Sequence, residues 1–541
     1  MPPKRREFRF ITALMLLFVI VSYAPATVSD TKPTGETIVI PDTLRFTFVN
    51  PLLSISTLST RLIEIVFDGL IEFDDRFEPK PHLAESWERS QDGRTWTFHI
   101  RPGVKFHDGV ELTAEDVAFS FEKMKERAGK TTYTFNFQDM QAIHVQDKYT
   151  VQIILKKAIA SFLQSLNVAI LPKHLLEGQD IETSNFNLHP VGTGPYKLKS
   201  WSDTEIILEA NEFYFLGRPF LDAIRAVVYP TREMVWAKLM SGEADFFDFL
   251  TPDHYDLSKQ IPTFRFYSAS MPYYYLIAFN IMDPLFHDSR IRRALNYAVN
   301  KDEIVAKVLK GEGQPSAGTI FPGSWAYNPD SKPYPYDPKK ALALLAEAGW
   351  KDHDGDHFLD KDRRSFEFTV HVNVGDETKL KTLLLIQQQL LDIGVRLNVK
   401  LFEVANLDFL FKKQFQAHFP GFGAGGDPDL SYKFWYSSQV MGGFNWSSYR
   451  NEKVDHLLDV GRVEFDQEKR KAIYFKYQEE FLKDPPGIML FWTNYLVGVQ
   501  ERFKGVKISP VGPFANIREW YVPKAEQRHK KSEDLSSAEG N

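Results

Sequence analysis

Cysteine is absent from all 541 residues of the chain, and so are the short patterns that mark common enzyme sites. The missing cysteines exclude disulfide bonds, cysteine nucleophiles and thiolate metal sites. There is no HExxH pair and no GxSxG elbow. The sequence therefore contains no motif that marks an enzyme of these classes.

A calcium loop is also missing, although residues 352–356 (DHDGD) invite that interpretation. An EF-hand that began at Asp352 would need glycine at its sixth position and glutamate at its twelfth, where the chain has His357 and Arg363. We therefore predict a solvated acidic turn, and neither a metal site nor a cofactor.

The chain has no apolar run of the ~20 residues that a membrane-spanning helix needs. The longest, Ile11 to Val21, follows a basic start and precedes the small residues Ala24-Pro25-Ala26. This order is typical of a secretory signal peptide, which we place at residues 1–26; the alternative is a retained membrane anchor. The net charge of -6 argues against a nucleic-acid partner.

The length and composition indicate a soluble globular protein of several domains. A chain of 541 residues exceeds the ~250–300 residues of one hydrophobic core, so two or three domains are expected. Hydrophobic residues make up 43% and charged residues 25% of the chain. Aromatic residues reach 14%, which suits both a large core and a cleft that grips varied solutes.

Local patterns predict an α/β fold. Residues 95–100 (TWTFHI) alternate as a strand, and Thr113 with Asp116 forms a pattern like a capping box at the start of a helix. Between residues 365 and 401, a strand, a helix and a second strand follow one another. A unit of this kind is a βαβ crossover, so the sheet that contains it is parallel or mixed.

Several longer segments resemble one family, the extracytoplasmic solute-binding proteins of peptide ABC importers (family 5, dipeptide and oligopeptide type). The segments are PKPHLAESWERSQDGRTWTFHIRPGVKFHDGVELTAEDVAFS (79–120), GTGPYKLKSW (192–201), SGEAD (241–245), 279–299, YNPDSKPYPYDPKKALALLAEAGW (327–350) and NEKVDHLLDVGR (451–462). They follow one another in order across nearly all of the mature chain.

The resemblance implies a two-lobed periplasmic-binding-protein fold (type II, cluster C), in which a β-rich subdomain is inserted in the first lobe. The implied parts are a signal peptide (1–26), lobe I (36–72 and 192–282), the inserted subdomain (73–191), lobe II (283–492), a return segment to lobe I (493–523) and a disordered tail (524–541). The solute lies between the lobes, which close on it by a hinge motion.

The implied function is that of a receptor and not of an enzyme. Such a protein captures a small peptide in the periplasm and delivers it to an ABC transporter permease at the membrane, and we expect it to be a monomer. Since the chain has no cysteine that could be acylated, we expect it to diffuse freely. Two alternatives stay open: a receptor for another solute, such as an oligosaccharide, an opine or a metal chelate, and a secreted hydrolase that uses paired carboxylates.

The resemblance also implies candidate ligand-binding residues. The loop 420–429 (PGFGAGGDPD) aligns with the family's cleft loop, in which main-chain groups contact the ligand and an aspartate binds its α-ammonium group. We assign Phe422, Gly423, Ala424 and Asp427 to this loop, with an Asp-Pro turn as the other interpretation of Asp427.

Further candidates come from outside the cleft loop. Lys381 aligns near the family's carboxylate-binding position, although an exposed helix lysine is an equally simple interpretation. Tyr273 and Tyr275 lie where the chain is expected to cross between lobes, and one face of that strand is expected to reach the cleft. Trp435 and Trp446 are comparable aromatic candidates, with core packing as the alternative. Asn50 resembles the position where a lobe I loop meets solute.

Overall fold

The fold is described by a computed structural model that covers residues 32–43, 49–53, 57–127, 135–248, 250–403 and 407–528. The predicted signal peptide therefore lies outside the described residues. Within the described part of the chain, no helix combines the length and the apolar character that crossing a bilayer requires.

The described part of the chain contains both strands and helices. The strands are β1 (Thr37–Asp42), β2 (Ile71–Phe73), β3 (Pro79–Pro81), β4 (Ala84–Arg89), β5 (Thr95–Ile100), β6 (Met140–Asp147), β7 (Thr150–Leu155), β8 (Tyr196–Trp201), β9 (Glu205–Ala210), β10 (Ala223–Val228), β11 (Phe246–Phe247), β12 (Phe264–Phe279), β13 (Gly313–Pro315), β14 (Asp360–Lys361), β15 (Arg364–Ser365), β16 (Glu367–Asn373), β17 (Arg396–Phe402), β18 (Ala417–His418), β19 (Gly421–Gly423) and β20 (Gly487–Gln500). The α-helices are α1 (Thr57–Val66), α2 (Ala114–Glu126), α3 (Lys173–Leu176), α4 (Arg232–Met240), α5 (Pro252–Ser258), α6 (Ser289–Ala298), α7 (Lys301–Lys307), α8 (Pro338–Glu347), α9 (Glu377–Leu391), α10 (Asp408–Phe411), α11 (Leu430–Trp435), α12 (Glu452–Val463) and α13 (Gln467–Lys483).

Lobe I contains the four-stranded sheet with the order β1-β10-β9-β8, in which only the β1–β10 pair is parallel. Between β1 and β8 the chain forms a separate antiparallel sheet with the order β4-β5-β7-β6. In β5 the side chains of Trp96, Phe98 and Ile100 are buried in alternation, as their spacing predicts. Helix α2 packs on this sheet and begins at Thr113 with the predicted capping box to Asp116.

Lobe II is built around the predicted βαβ unit. Strands β16 and β17 are parallel and in register from Glu367–Arg396 to Asn373–Phe402, and α9 connects them. The prediction of a parallel or mixed sheet is confirmed. The predicted N-cap of α8 is confirmed as well, because the Asp337 side chain accepts a hydrogen bond from the backbone of Lys340. Aromatic residues of α11, α13 and the strands, together with Val454 and Leu458 of α12, fill a second core beside this sheet.

Two long strands connect the lobes. β12 and β20 pair antiparallel from Phe264–Gln500 to Ala278–Gly487, with an irregularity between Ser270 and Tyr274. One end of this ribbon pairs with β11 of lobe I and the other end with β18 of lobe II. An irregular stretch in a ladder is where a strand pair bends most easily, so the two lobes are joined at a natural hinge.

The chain after β20 packs on lobe I. Phe503, Phe514 and Trp520 belong to the lobe I core. Arg502 is buried and binds Glu36 at 2.7 Å and Asp245 at 2.6 Å. Because both acids are also buried, these ion pairs hold the segment firmly against the lobe.

The predicted tail requires a correction. Residues 524–528, assigned from the sequence to a disordered tail, form a short 3-10 helix (Lys524–Glu526) and two anchored residues. Gln527 donates a hydrogen bond to the carbonyl of Thr34 at 3.2 Å, and Arg528 donates one to the carbonyl of Gly242 at 2.8 Å. Charged composition alone did not reveal these backbone acceptors.

Candidate functional site

A large cavity of about 760 Å³ lies between the lobes, next to the two connecting strands. Its walls come from α1, Asp248 and residues 250–252 of lobe I, from 373–379 of lobe II, and from the strands β12 and β20. The volume falls within the ~300–1,000 Å³ range that is typical of sites for small molecules. A solute held here touches both lobes at once.

The lobe I wall carries a buried ion pair and a separate carboxylate. Arg61 of α1 binds Asp248 at 2.5 Å, and less than a tenth of either side chain is exposed. Burial raises the pKa of Asp248 to about 6, while Arg61 acts in the opposite direction. Glu64, one turn further along α1, is exposed to the cavity yet surrounded by protein. Burial raises the pKa of Glu64 to about 7, against the attraction of Arg61.

The lobe II wall is the turn between β16 and α9, at the carboxyl end of a parallel strand. This edge is where open α/β sheets generally bind ligands. Asp376 caps α9 by accepting a hydrogen bond from the backbone of Lys379. The Lys379 ammonium group binds Asn373 Oδ1 at 2.8 Å and Asp376 at 3.3 Å, and it lies 5.6 Å from the ring centre of Tyr275.

A second compartment of about 290 Å³ adjoins the cleft loop. The inserted subdomain contributes Phe77, Ser161 and Gln164 to it, and lobe II contributes residues 425–427, 429–430 and Lys433. Gly426 is required here, because a Cβ atom at this position would lie 1.8 Å from Cβ of Phe77. The cleft loop thus lies directly against the inserted subdomain.

Buried polar contacts join the two lobes beside this compartment. Ser161 donates a hydrogen bond to Asp429 at 2.5 Å, and Arg462 of α12 binds Asp139 at 2.9 Å. Only 2% of the Arg462 side chain is exposed. The structure therefore describes the lobes in a closed arrangement.

The structure places the cleft-loop candidates as follows. Gly423 lies in β19, which pairs with β12, and the amide of Ala424 donates a hydrogen bond to the carbonyl of Pro272 at 2.7 Å. Phe422 is buried in an aromatic cluster with Phe434, at 4.4 Å between ring centres. Gly423 and Ala424 line a void of about 10 Å³, room for one water molecule at most. Neither residue lines the large cavity.

Asp427 does not offer a free carboxylate. Its two oxygens accept hydrogen bonds from Arg470 at 2.6 and 2.7 Å. It also accepts one from the backbone of Asp429 at 2.8 Å, the local bond of an Asx turn. This geometry favours the structural interpretation of Asp427 over an ammonium-binding role.

Lys381 is not among the residues that line the cavity. Half of its side chain is exposed, and its ammonium group binds Asp253 of α5 at 2.7 Å. This hydrogen bond is the main reason why the pKa of Asp253 is lowered. Lys379 is the lysine that lines the cavity, and only 13% of its side chain is exposed. Two residues along an α-helix turn by about 200°, so an alignment shift of two exchanges the faces.

The aromatic candidates divide between the cavity and the core. Tyr275 lines the large cavity, whereas the Tyr273 hydroxyl donates a hydrogen bond to the carbonyl of Gly421 at 2.8 Å. Trp435 is 1% exposed and donates a hydrogen bond to the hydroxyl of Tyr274 at 3.0 Å, so it belongs to the core. Trp446 is half-buried against Phe422, with ring centres 6.1 Å apart.

Asn50 has a structural role in this arrangement. It is fully buried, donates a hydrogen bond to Asn187 Oδ1 at 2.6 Å, and accepts one from the backbone of Leu52 at 2.9 Å. It therefore fixes a lobe I loop. The neighbouring stretches 44–48 and 54–56 lie outside the described residues.

Sequence reasoning missed most of the residues that line the large cavity. Arg61 and Glu64 are the charged residues of α1 and lie three apart, which is also the ordinary pattern of a surface helix. The turn 373–379 does carry a general signal, because it follows the first strand of a βαβ unit. That signal was available and would have pointed to Lys379.

One group of acidic residues could hold a cation. Asp352, Asp354 and Asp356 each bring a carboxylate oxygen within 4.8 Å of the others, and all three residues are exposed. Their side chains accept hydrogen bonds from the turn itself, such as that from Gly355 to Asp352 at 2.7 Å. Exposed acidic turns of this kind are common without an ion, and the absence of a metal site stays a prediction.

Comparison with known proteins identifies the family. The family model described as "Bacterial extracellular solute-binding proteins, family 5 Middle" matches residues 78–443. The oligopeptide-binding protein AppA of Bacillus subtilis is 31% identical over 96% of this chain and 100% of its own length. The dipeptide-binding protein of Escherichia coli is 28% identical over 84% of this chain and 88% of its own length.

Solved structures agree with the sequence relatives. The structure of Bacillus subtilis AppA in complex with a nonapeptide is 30% identical, has a TM-score of 0.79, and covers 91% of this chain and 100% of its own. The structure of NikZ from Campylobacter jejuni in complex with Ni(L-His) is likewise 30% identical with a TM-score of 0.79, over 90% of this chain and 99% of its own. The chain has the two-lobed fold of periplasmic binding proteins, and it belongs to the bacterial extracellular solute-binding proteins of family 5.

Proposed function

We propose that this chain is the substrate-binding receptor of an ABC importer and that it captures peptides between its lobes. The observation that carries this proposal is the cavity of about 760 Å³, whose walls come from both lobes and from the strands that join them. Peptide binding by AppA and by the dipeptide-binding protein, as their names state it, supports peptides as the solute class.

Hinge closure supplies the mechanism. Because each lobe contributes half of the site, a peptide binds the closed form more tightly and shifts the population towards it. The pair β12–β20 bends at its irregularity, and contacts such as Asp139–Arg462 form between the closed lobes. The closed shape is then what the permease recognises, and the peptide leaves chemically unchanged.

The lobe boundaries given above from the resemblance are part of this proposal. So are a monomeric state, export to the periplasm after removal of residues 1–26, and the absence of catalytic activity. AppA and the dipeptide-binding protein are both named as binding proteins, which supports a receptor over a hydrolase.

Native mass spectrometry of the purified protein tests the proposal. The protein is incubated with an equimolar library of synthetic peptides of two to nine residues, desalted, and then dissociated in the gas phase. We expect intact peptides to be released at one per chain. Release of cleaved peptides would indicate a hydrolase, and capture of no peptide would refute the proposed solute class.

A parallel incubation with nickel and histidine covers the main alternative within the receptor class. The NikZ structure contains Ni(L-His) at 30% identity to this chain, so a metal chelate is the alternative with a specific precedent. Capture of the chelate without capture of any peptide would replace peptides with chelates as the solute.

A further inference from the structure

Glu64 occupies the junction of two cavities. Together with Val511 and Gly512, it lines both the large cavity of about 760 Å³ and an adjoining cavity of about 150 Å³. Val511 also lines the compartment of about 290 Å³ beside the cleft loop. An elongated solute that extends from the large cavity towards the cleft loop therefore passes the carboxylate of Glu64.

The other acidic groups on these walls already have partners. In the large cavity the pairs are Asp248 with Arg61 at 2.5 Å, Asp376 with Lys379 at 3.3 Å, Glu312 with Lys259 at 3.2 Å and Glu377 with Lys381 at 3.9 Å. In the adjoining cavity, His82 pairs with Asp68 at 2.8 Å and with Glu72 at 3.6 Å. Asp68 accepts two further hydrogen bonds, from Thr193 at 2.8 Å and Tyr214 at 3.0 Å.

Glu64 differs from all of them. Among the described residues, no side chain or backbone group forms a hydrogen bond or ion pair with its carboxylate. The nearest cation along the helix, Arg61, attracts Glu64 but forms its ion pair with Asp248, which lines the same cavity. A carboxylate that faces a cavity without a partner can accept N–H donors from a cation that enters the cavity.

We propose that Glu64 is the cation-binding subsite of the cleft and pairs with a positively charged group of the bound peptide. This inference rests on the proposed function, because it states which peptides the cleft binds preferentially. Two sources supply such a group: the α-ammonium of the first residue, and the ammonium or guanidinium of a lysine or arginine side chain. Both offer N–H donors to a carboxylate.

The test compares matched peptides on the wild type, Glu64→Gln and Glu85→Gln. Glutamine keeps the shape of Glu64 and removes its charge, and Glu85 is an exposed glutamate on β4, away from the cavity. The tightest cationic peptide captured from the library is titrated by calorimetry. Two neutralised forms are titrated beside it, one acetylated at the amino terminus and one with each lysine or arginine replaced by glutamine.

We expect the wild type and Glu85→Gln to bind the cationic peptide about tenfold or more tightly than one of its two neutralised forms. Glu64→Gln is expected to lose that preference. If the acetylated form is the one that binds the wild type more weakly, the α-ammonium is the partner of Glu64. If the glutamine-substituted form binds more weakly, the lysine or arginine side chain is the partner.

Two outcomes overturn the inference and leave the proposed function intact. One is a wild type that binds the cationic peptide and both neutralised forms equally, a result that does not depend on how the variant folds. The other is a folded Glu64→Gln variant that keeps the full preference. A wild type that captures no peptide at all refutes the proposed function, and this inference with it.

Discussion

Arg470 of α13 holds both carboxylate oxygens of Asp427, at 2.6 and 2.7 Å, and both side chains are buried. A bidentate pair of this kind combines charge with fixed geometry. Asp427 is also the residue that the family resemblance assigns to the ligand ammonium. The two roles compete for the same oxygens, and the predicted effects of removing Asp427 differ accordingly.

Asp427→Ala is expected to destabilise the protein by roughly 3–5 kcal/mol, because it leaves the guanidinium of Arg470 buried without its partner. Denaturant unfolding monitored by circular dichroism measures this loss. Glu126→Ala serves as the control, since Glu126 forms an exposed pair with Lys123 and its removal is expected to cost at most about 1 kcal/mol. An Asp427→Ala variant of unchanged stability that no longer binds peptide would restore the ligand-binding role.

Lys379→Ala is expected to weaken peptide binding far more than Lys381→Ala. Lys379 lines the cavity beside Tyr275, whereas Lys381 forms an exposed pair with Asp253. Exposed pairs contribute ~0–1 kcal/mol, so we expect at most about a fivefold change for Lys381→Ala and about tenfold or more for Lys379→Ala. Calorimetric titration of both variants with the same peptide measures the two losses of affinity. A larger loss in Lys381→Ala than in Lys379→Ala would contradict this description of the lobe II wall.

Asp139→Asn is expected to weaken peptide binding although Asp139 does not contact the peptide. Asp139 in the inserted subdomain binds the buried Arg462 of lobe II, so the substitution weakens the closed form relative to the open form. We expect about a tenfold loss of affinity and a larger radius of gyration of the ligand-free protein in solution scattering. Asp408→Asn, at an exposed pair within lobe II, is the control. Equal affinity and radius in Asp139→Asn and the control would show that the contact does not drive closure.

Binding of a peptide with a lysine or arginine side chain is expected to strengthen from pH 6 to pH 8. Because burial raises the pKa of Glu64 to about 7, its carboxyl group is mostly protonated at pH 6 and mostly ionised at pH 8, and only the ionised form attracts a cation. The ionised fraction rises from about a tenth to about nine tenths, so the affinity rises by up to roughly tenfold.

Other charged groups near Glu64 must be separated from this effect. They are Arg61, Arg232 and Asp248 on the lobe I wall, Glu312, Asp376, Glu377 and Lys379 on lobe II, and Asp68, Glu72, His82 and Arg518 in the adjoining cavity. All of them are retained in Glu64→Gln, so its titration over the same pH range isolates the contribution of Glu64. A pH dependence that is identical in the wild type and Glu64→Gln would assign the titration to these other groups.

Much of the fold was predictable because its signals are local. Alternation in 95–100, the capping pair Thr113–Asp116 and the strand–helix–strand order of 365–401 each follow from a few neighbouring residues, and the structure confirms them. The family resemblance added what local patterns do not contain, namely the two lobes and the return of the chain to the first lobe.

The site was less predictable, because its charges are assigned by contacts between distant segments. Nothing in the sequence near Asp427 indicates its partner Arg470, and nothing near Glu64 indicates that it lines the cavity between the lobes. Lys379 and Lys381 differ only by which face of α9 they occupy. No local pattern records a partner that lies 43 residues away, as Arg470 does from Asp427.

A crystal structure of the protein with its captured peptide tests the central claim most directly. The account predicts that the peptide lies between the lobes, in contact with α1 of lobe I and with the turn 373–379 of lobe II. A peptide bound to the outer surface of one lobe, with the interlobe cavity left to solvent, would contradict it.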